Sequence, residues 1–287
     1  MKDKINLDFS FEKFLAPAKL NLFLKIKDKR TDGYHNLQSV FQLISLYDEI
    51  SIRVRDDDKI NFKNSNPLIP KEKDIAYKAC ILLLDKMSIG VDVDIKKNIP
   101  IGSGLGGGSS DAATILMAIN RLCRLGLSKK NLMQLGLELG ADVPFFIFGE
   151  NAWAEGIGDQ LYPISIPDFD YVVAVPNISI PTSSIFASFK LTNNTNPLKI
   201  ATLFDSKKHA FIDNDLESLV IHNFLIMAKL MDWMKSFGYA KMSGTGSSIF
   251  LRPKSNIQSQ EIERLKPQNT EIYAVKGLSV HPFYLTD

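Results

Sequence analysis

The chain has 287 residues, of which 45% are hydrophobic and 23% charged, and a formal net charge of +2. That length suffices for two modest domains, the hydrophobic share excludes general disorder, and the small surplus of charge gives no basic stripe for duplex nucleic acid. No apolar run approaches the roughly eighteen residues of a spanning helix, so neither nucleic acid nor a membrane is expected as a partner.

Cys80 and Cys123 both sit in apolar helical runs and read as buried free thiols, which favours a reducing compartment. The first eight residues carry no apolar core and no small-residue cleavage site. The expectation is a soluble cytoplasmic protein.

In chain order, residues 11–14 and 20–26 are strand-like, the latter alternating Leu20, Leu22, Leu24 and Ile26 on one face. A turn at 31–34 precedes two further strands at 37–45 and 49–55, then a polar stretch over 56–71 with two prolines. A helix is predicted over 74–86, with Ile75, Ala79, Leu82 and Leu83 on one face. Val91, Val93 and Ile95 alternate with Asp92, Asp94 and Lys96 as a half-buried strand. A helix over 112–125 follows the glycine-rich segment, then a helix over 129–139 capped by Ser128 and stopped by Gly140. Residues 141–148 are short and apolar, and 153–157 lead to a polar connection flanked by Pro163 and Pro167. The second half opens with a strand at 171–175 and a Lys/Asn-rich loop at 191–199. A long helix over 215–237, ended by Gly238, carries Met227, Met231 and Met234 as a core stripe, and strands at 240–242, 249–251 and 271–275 close the chain. Strands and helices without βα regularity indicate an α+β fold.

The most informative segment is Pro100-Ile101-Gly102-Ser103-Gly104-Leu105-Gly106-Gly107-Gly108-Ser109-Ser110-Asp111, directly before the helical run. Glycines remove side-chain bulk, so backbone N–H groups and the helix N-terminus can surround an anion, with a polyphosphate as the natural ligand. Ser109, Ser110 and Asp111 fit the cap and first turn, so the helix is expected to begin where the glycines stop. The loop is not a Walker loop, because Gly108 stands where a Lys would precede the Ser. Nor is it a dinucleotide fingerprint, since apolar residues around 125–127 replace the ribose-binding acid.

Three further segments carry chemistry. Lys19 and Asn21, two apart on a strand, share the face opposite Leu20, Leu22 and Leu24, and are either solvated or presented together toward a cleft. Asp142, in an apolar stretch after a helix stop, is either a turn-former bonding its own backbone or a charge held for function. Residues 242–248 form a second glycine loop between strands, either a hairpin or a second phosphate wall. Tyr34 and His35 offer a flat ring and a donor/acceptor pair of the kind a nucleobase needs, although such residues are also common as packing. The scattered histidines show no zinc spacing, and no G-x-S-x-G elbow is present.

These segments together resemble the GHMP kinase superfamily, whose second motif is a P-x-G-x-G-L-G-x-S-S loop. The likeness runs from Pro17-Ala18-Lys19-Leu20-Asn21-Leu22 through Arg30-Thr31-Asp32-Gly33-Tyr34-His35-Asn36 and the glycine loop to Leu139-Gly140-Ala141-Asp142-Val143-Pro144, Pro181-Thr182 with Phe186, Asn214-Asp215-Leu216-Glu217 and Met242-Ser243-Gly244-Thr245-Gly246. Within the superfamily, the expanded glycine loop and the Gly-Tyr-His turn are similar to the branch that acts on cytidine-diphosphate-linked methylerythritol in non-mevalonate isoprenoid synthesis.

The resemblance implies an α+β two-domain fold, with a ribosomal-S5-domain-2-like domain over 1–160, a ferredoxin-like α/β-plait over 161–287 and the active site in the cleft between them. It implies ATP-dependent phosphorylation of the substrate's 2-hydroxyl, with Mg²⁺ as cofactor, in a monomer or weak homodimer. By the same likeness Lys19 and Asp142 are the catalytic pair. Lys97, Pro100, Gly102, Ser103, Gly104, Leu105, Gly106, Gly107, Gly108, Ser109 and Ser110 bind the nucleotide, while Asn21, Tyr34, His35, Thr182 and Phe186 bind the second substrate. Metal ligands are not identified. Two positions depart from the pattern: Asp74 stands in place of an Asn near the adenine, and Ser103 where Ala or Gly is frequent.

Overall fold

The computed structural model describes residues 8–66, 69–85, 87–189, 213–253 and 259–285. Two long strands organise it. β1 (Glu12–Lys29) and β2 (His35–Arg55) pair antiparallel from Glu12 opposite Ile52 to Lys29 opposite His35. The sequence pattern divides each into two shorter strands, because the apolar alternation breaks near residues 17 and 46. In the structure those breaks belong to a continuous ribbon whose register shifts between Pro17 and Ala18, Asn21 and Leu24, and Ile26 and Asp28.

The first shift skips Ser45 and Leu46 on β2 and leaves the alternation of β1 intact, whereas the other two put an extra residue on β1 and turn its following side chains to another face. Phe14 and Ala16 enter one core cluster, Ala18 and Leu20 a second, and Leu24 and Ile26 a third. The expected alternation of Leu20, Leu22 and Leu24 opposite Lys19 and Asn21 fails at the middle shift. Leu24 lines the same cleft as Lys19 and Asn21, and Phe23 packs on Trp153 instead.

The remaining strands are β3 (Ile60–Asn64), β4 (Gly90–Lys96), β5 (Ala152–Glu155), β6 (Gln160–Pro163), β7 (Asp170–Pro176), β8 (Gly238–Met242), β9 (Ile249–Pro253) and β10 (Thr270–Leu278). They form one mixed sheet in the order β3-β4-β2-β10-β7-β9-β8, with β1 on β2 and β5 joining β2 to β6. β2 pairs in turn with β5 through residues 39–41, with β10 at Leu43 and Ile44, and with β4 from Glu49 onward. β3, the parallel edge strand, falls in the stretch read as polar, because its Ile60 and Phe62 alternate with exposed residues among Asp and Lys.

α1 (Ile75–Leu84), α2 (Gly107–Leu122), α3 (Lys129–Leu139) and α4 (Val143–Phe148) pack with β2 and β4 around the first core. Asp74 caps α1, its carboxylate accepting the Ala76 N–H at 2.9 Å, a task Asn or Asp performs equally well. Ser128 caps α3 as expected, accepting from Asn131 N–H. α2 buries ten of its sixteen residues, Ile115, Leu116 and Ile119 among them, each burial contributing about 1.5–3 kcal/mol.

α5 (Thr182–Ser188), α6 (Glu217–Asn223), α7 (Leu225–Lys235) and α8 (Ser259–Arg264) serve the second half. The predicted helix over 215–237 is two helices, broken at an extended Phe224. The break lets Leu216 and Val220 on one piece, and Met227, Met231 and Met234 on the other, reach the same core. The Lys/Asn-rich loop at 191–199 lies outside the described residues. Cys80 and Cys123 are buried free thiols.

After β10 the chain returns to the first half. His281 is wholly buried, its Nδ1 accepting the Phe283 N–H at 3.1 Å, and burial pushes its pKa down to about 3. The folded protein therefore holds a neutral imidazole that the unfolded chain protonates near pH 6.5. Its contribution is complete above pH 6.5 and declines as pH falls toward 3. Urea denaturation of His281→Asn beside the parent should show a shallower acid loss, the two curves converging by up to about 1.4 kcal/mol per pH unit across that window. Parallel curves would mean that His281 does not titrate with unfolding.

Candidate active site

The glycine loop is built by backbone conformation. Gly106, at φ +76°, is the left-handed cap from which α2 begins at Gly107, inside the glycine run and ahead of the start expected at the serines. Gly104 also has positive φ, and a Cβ there would stand 2.8 Å from the carbonyl oxygens of Ser243 and Gly246. No side chain fits between two main chains so close. The second glycine loop, the β8–β9 hairpin turn, is therefore seated on the first. Ser248 N–H donates to Ser103 C=O at 2.9 Å, and Asn214 holds the hairpin through the carbonyls of Met242 and Gly244. It is a hairpin, and its Gly244 and Thr245 also line a cleft.

Lys19 and Asn21 lie on β1 between two of the register shifts. Lys19 N–H donates to Leu105 C=O at 2.9 Å, which ties the strand to the loop. The Lys19 ammonium donates to Asn21 Oδ1 at 2.5 Å, lies 5.1 Å from the Phe41 ring centroid and stands 3.5 Å from Asp142 Oδ2. Its side chain is 5% exposed and that of Asp142 36%. Asn21 Nδ2 in turn donates to Ser39 Oγ, and Asn21 N–H to Ser243 Oγ, so the amide is oriented from two sides. Asp142 occupies the N-cap position of α4 yet makes no capping bond, and Pro144 follows in the first turn. Its carboxylate faces Lys19 instead of its own backbone, which decides against the turn-former reading.

Two cavities meet at this point. The larger, about 880 Å³, is lined by Lys19, Asn21, Asp142, Tyr34, His35, Thr182 and Phe186 among others. The smaller, about 250 Å³, runs along the glycine loop toward Asn64, Asp74 and Ile75. Gly104, Gly106 and Ser109 line both. The first N–H groups of α2, which have no intrahelical acceptor, and the positive end of its dipole thus reach the junction. Of the loop residues named from the sequence, Pro100, Gly102, Ser103, Gly107 and Gly108 also line the smaller cavity. Leu105 and Ser110 do not: Leu105 is a core side chain and Ser110 is fully buried.

At the far end of the larger cavity the His35 and Phe186 rings stack, with centroids 5.4 Å apart. Burial, assisted by Lys29, lowers the His35 pKa, so its ring is neutral at pH 7 with one donor and one acceptor nitrogen. Tyr34 is 58% exposed at the mouth. Thr182 Oγ1 lies 3.0 Å from Thr245 Oγ1 across the cleft.

Lys97 lines the smaller cavity, but its ammonium is engaged by Asp48 and by Asp111 Oδ2, the latter at 2.5 Å. Burial opposes the ammonium's charge, and the two carboxylates outweigh it and raise its pKa. Burial also pushes the Asp111 carboxyl well above the usual carboxylate range, against the pull of Lys97. Asp48 escaped the sequence reading, and Asp111 was read there only as a residue of the cap and first turn. An Asp in a first helical turn and another after a strand are common enough to carry no signal.

A chain with 43% identity to this one, the "4-diphosphocytidyl-2-C-methyl-D-erythritol kinase" of Herminiimonas arsenicoxydans, aligns over 93% of this chain and 95% of its own length. The chain belongs to the 4-diphosphocytidyl-2-C-methyl-D-erythritol kinase family. A protein of the same name from Burkholderia mallei is 40% identical over 94% of this chain and 95% of its own. The family described as GHMP kinases N terminal domain matches residues 74–150, from the cap of α1 through the glycine loop to the end of α4. A crystal structure of 4-(cytidine 5'-diphospho)-2C-methyl-D-erythritol kinase superposes with TM-score 0.82 at 29% identity, covering 93% of this chain and 99% of that one. A homoserine kinase from Cytophaga hutchinsonii superposes at 0.70 with 16% identity, covering 96% and 98% of the two chains, a likeness of fold. The α+β GHMP kinase architecture expected from the sequence is the one observed.

The glycines differ in what they tolerate. A Cβ on Gly106 would stand 2.9 Å from the Phe146 ring at a φ that Val does not adopt, whereas on Gly108 the nearest atom, Ile75 Cδ1, is 3.8 Å away. Gly108→Val should therefore fold with an unchanged melting temperature while its branches enter the smaller cavity, weakening ATP by about tenfold or more in calorimetry. Gly106→Val should lose stability first. ATP affinity untouched in folded Gly108→Val would remove the nucleotide from that cavity.

Proposed function

We propose that this protein transfers the γ-phosphoryl group of ATP to the 2-hydroxyl of 4-diphosphocytidyl-2-C-methyl-D-erythritol, releasing the 2-phosphate and ADP. The observation that carries this reading is the meeting of the two cavities at Gly104, Gly106 and Ser109, with Lys19 and Asp142 facing that junction. A phosphate held by the loop and a hydroxyl held beside Asp142 would then be neighbours, which is the main requirement of phosphoryl transfer.

Asp142 orients the attacking hydroxyl and accepts its proton. A carboxylate is a weak base for an alcohol, so that proton leaves late, after most of the bond to the leaving phosphate has broken. Lys19, pinned by Asn21 and by packing on Phe41, meets the charge that develops on the transferring group. The α2 N-terminus adds fixed dipoles that need no reorganisation. A magnesium ion bound with the triphosphate would supply charge neutralisation on the phosphate oxygens. Ser109 is the protein oxygen at the junction suited to it. Among the described residues no three His, Cys, Asp or Glu side chains gather as a cage, in keeping with an ion held chiefly by phosphates and water.

Tyr34 and Phe186 flank the cytosine, and His35 reads its polar edge. The His35–Phe186 stack leaves no space for a base between those two rings, so the base takes the other face of Phe186 as Tyr34 closes over it. Asn21 and Thr182 line the path between base and hydroxyl. The division of the chain near residue 160 belongs to this reading: separate cores on either side, bridged by β1, suit two domains that carry one ligand each. No described helix is long and apolar enough to cross a membrane.

Coupled ADP release should be strong with the cytidine-linked polyol and at background with homoserine, mevalonate and galactose. Equal turnover of homoserine would sink the substrate assignment. Asp142→Asn and Lys19→Met should each lower kcat by about 10²-fold or more; the melting temperature should change little for the partly exposed Asp142, which makes no capping bond, and fall for Lys19→Met, which takes the donor from buried Asn21 Oδ1. Near-parent turnover by Asp142→Asn would remove its catalytic role.

Phe186 also touches the edge of the second core, so Phe186→Ala should cost some stability. Its distinguishing effect is weaker binding of the cytidine substrate, by about 5- to 150-fold, with ATP affinity intact. Equal loss for both ligands would mark it as core packing alone.

A further inference from the structure

We propose that Lys97 is a positioning residue that staples the two ends of the glycine loop together, acting on the nucleotide through the loop and not by touching it. The inference rests on the kinase reading above. It departs from the resemblance, which would make Lys97 a nucleotide ligand.

The geometry is that of a clamp. Lys97 immediately follows β4 and stands at the entrance to the loop, while Asp111 lies early in α2, at its exit. The Lys97 ammonium joins them, bonding Asp111 Oδ2 at 2.5 Å and also Asp48 on β2. Asp48 fixes the same entrance a second time, its other oxygen accepting the N–H groups of Asn98 at 2.6 Å and Ile99 at 2.8 Å. One buried point thus holds the sheet, the start of the loop and the helix that leaves it. Gly107 lies directly on this point: a Cβ there would stand 2.9 Å from Ile99 Cγ2 and 3.3 Å from Lys97 Nζ. The helix N-terminus comes this close only because its first residue has no side chain.

Charge argues against direct contact with phosphate. The ammonium, whose side chain is 9% exposed, already faces two buried carboxylates, so the cluster has no positive charge to offer an anion. What it offers is order. A cradle of N–H groups binds well only if the groups are aimed beforehand, and fixing both ends of the segment 97–111 removes freedom that binding must otherwise remove. The second glycine loop holds the middle of the same segment through Ser103. Asp111 Oδ1 has no hydrogen-bond partner among the described residues, so Asp111 is kept there by the ammonium and not by a wider polar network.

Three variants test the staple, with ATP affinity read by calorimetry and stability by melting temperature. Lys97→Met leaves two buried carboxylates without a counter-charge; the melting temperature should fall by about 5–15 °C and ATP binding weaken by about tenfold or more. The triple variant Lys97→Met, Asp111→Leu and Asp48→Asn removes all three charges, keeps an acceptor oxygen for the Asn98 and Ile99 N–H groups, and should recover both quantities, to within about threefold for ATP. Recovery of the melting temperature without recovery of ATP affinity would make Lys97 a ligand and overturn the proposal.

Asp111→Asn, which keeps shape and fold, gives opposite signs for the two ideas. A loosened staple weakens ATP by about 3- to 10-fold, whereas a lysine ligand released from one carboxylate would bind ATP more tightly, and tighter binding refutes the staple. The KM for the cytidine substrate should stay within about twofold in all three, since the second cavity does not reach this cluster. Calorimetry with ATP alone separates the two readings. A parent protein that binds ATP but leaves the cytidine-linked polyol unphosphorylated would sink the proposed function and not the staple.

Discussion

The structure depends on the β1–β2 ribbon and on where its register slips. Strand side chains alternate strictly, so an uninterrupted β1 would have sent all its odd residues to one face and all its even residues to the other. Two of the three shifts, after Asn21 and after Ile26, cut that alternation, and along its length the one strand supplies three different cores. The segment between the first two shifts carries Lys19 and Asn21, and the bend there aims both at the cleft that Leu24 also enters. Lys19 is held firmly because β1 is paired with β2 along most of its length, from Glu12 to Lys29. Bulges collect beside active sites for this reason: they redirect a side chain without giving up the sheet that anchors it.

Rigidity of the same kind governs the phosphate side. A triphosphate is recognised here chiefly by backbone, and backbone recognition depends on preorganised N–H groups more than on particular side chains. The loop gains that order from outside itself. The β8–β9 hairpin sits against Gly104, β1 bonds Leu105 C=O, and the buried Lys97 cluster closes the ends. Glycine is required where main chain meets main chain or an aromatic ring, at Gly104 and Gly106. Gly108 meets mostly open space, so its lack of a side chain is better explained by what must lie beside it.

How far this could be read from the sequence differed by element. Elements with local causes were legible: the cap of α3, the strand of alternating Val91, Val93 and Ile95, the methionine stripe and the loop-to-helix transition. Elements with distant causes were not. The bulges on β1 look like strand ends because alternation fails there, and only pairing with β2 shows that the strand continues. The break at Phe224 has no Pro or Gly to announce it; it follows from two helical faces having to meet one core. In the site, Lys19, Asp142 and the glycines were legible as chemistry in unusual places. Asp48 and Asp111 were not, because a carboxylate is noticed in a sequence only when its surroundings are apolar, and theirs become so only on folding.

Fold and substrate are decided by different parts of this molecule. The architecture is shared with homoserine and mevalonate kinases at 14–17% identity, for example a TM-score of 0.63 at 14% identity for the mevalonate kinase of Methanococcus jannaschii. A sheet with bulges, a glycine loop and a helix N-terminus therefore specify that a phosphate is held, not what receives it. In the proposed function the choice of acceptor falls to side chains at the opposite end of the cleft, where Tyr34, His35 and Phe186 stand on the β1–β2 turn and on α5. Those elements lie far along the chain from the glycine loop, so they are free to change without disturbing the phosphate cradle. The neutral His35 belongs to this end: an uncharged imidazole can match a base edge by donor and acceptor, whereas a protonated one offers donors alone. In the function proposed above, substrate identity rests on a few rings at the rim, and phosphoryl transfer on a strand paired along most of its length.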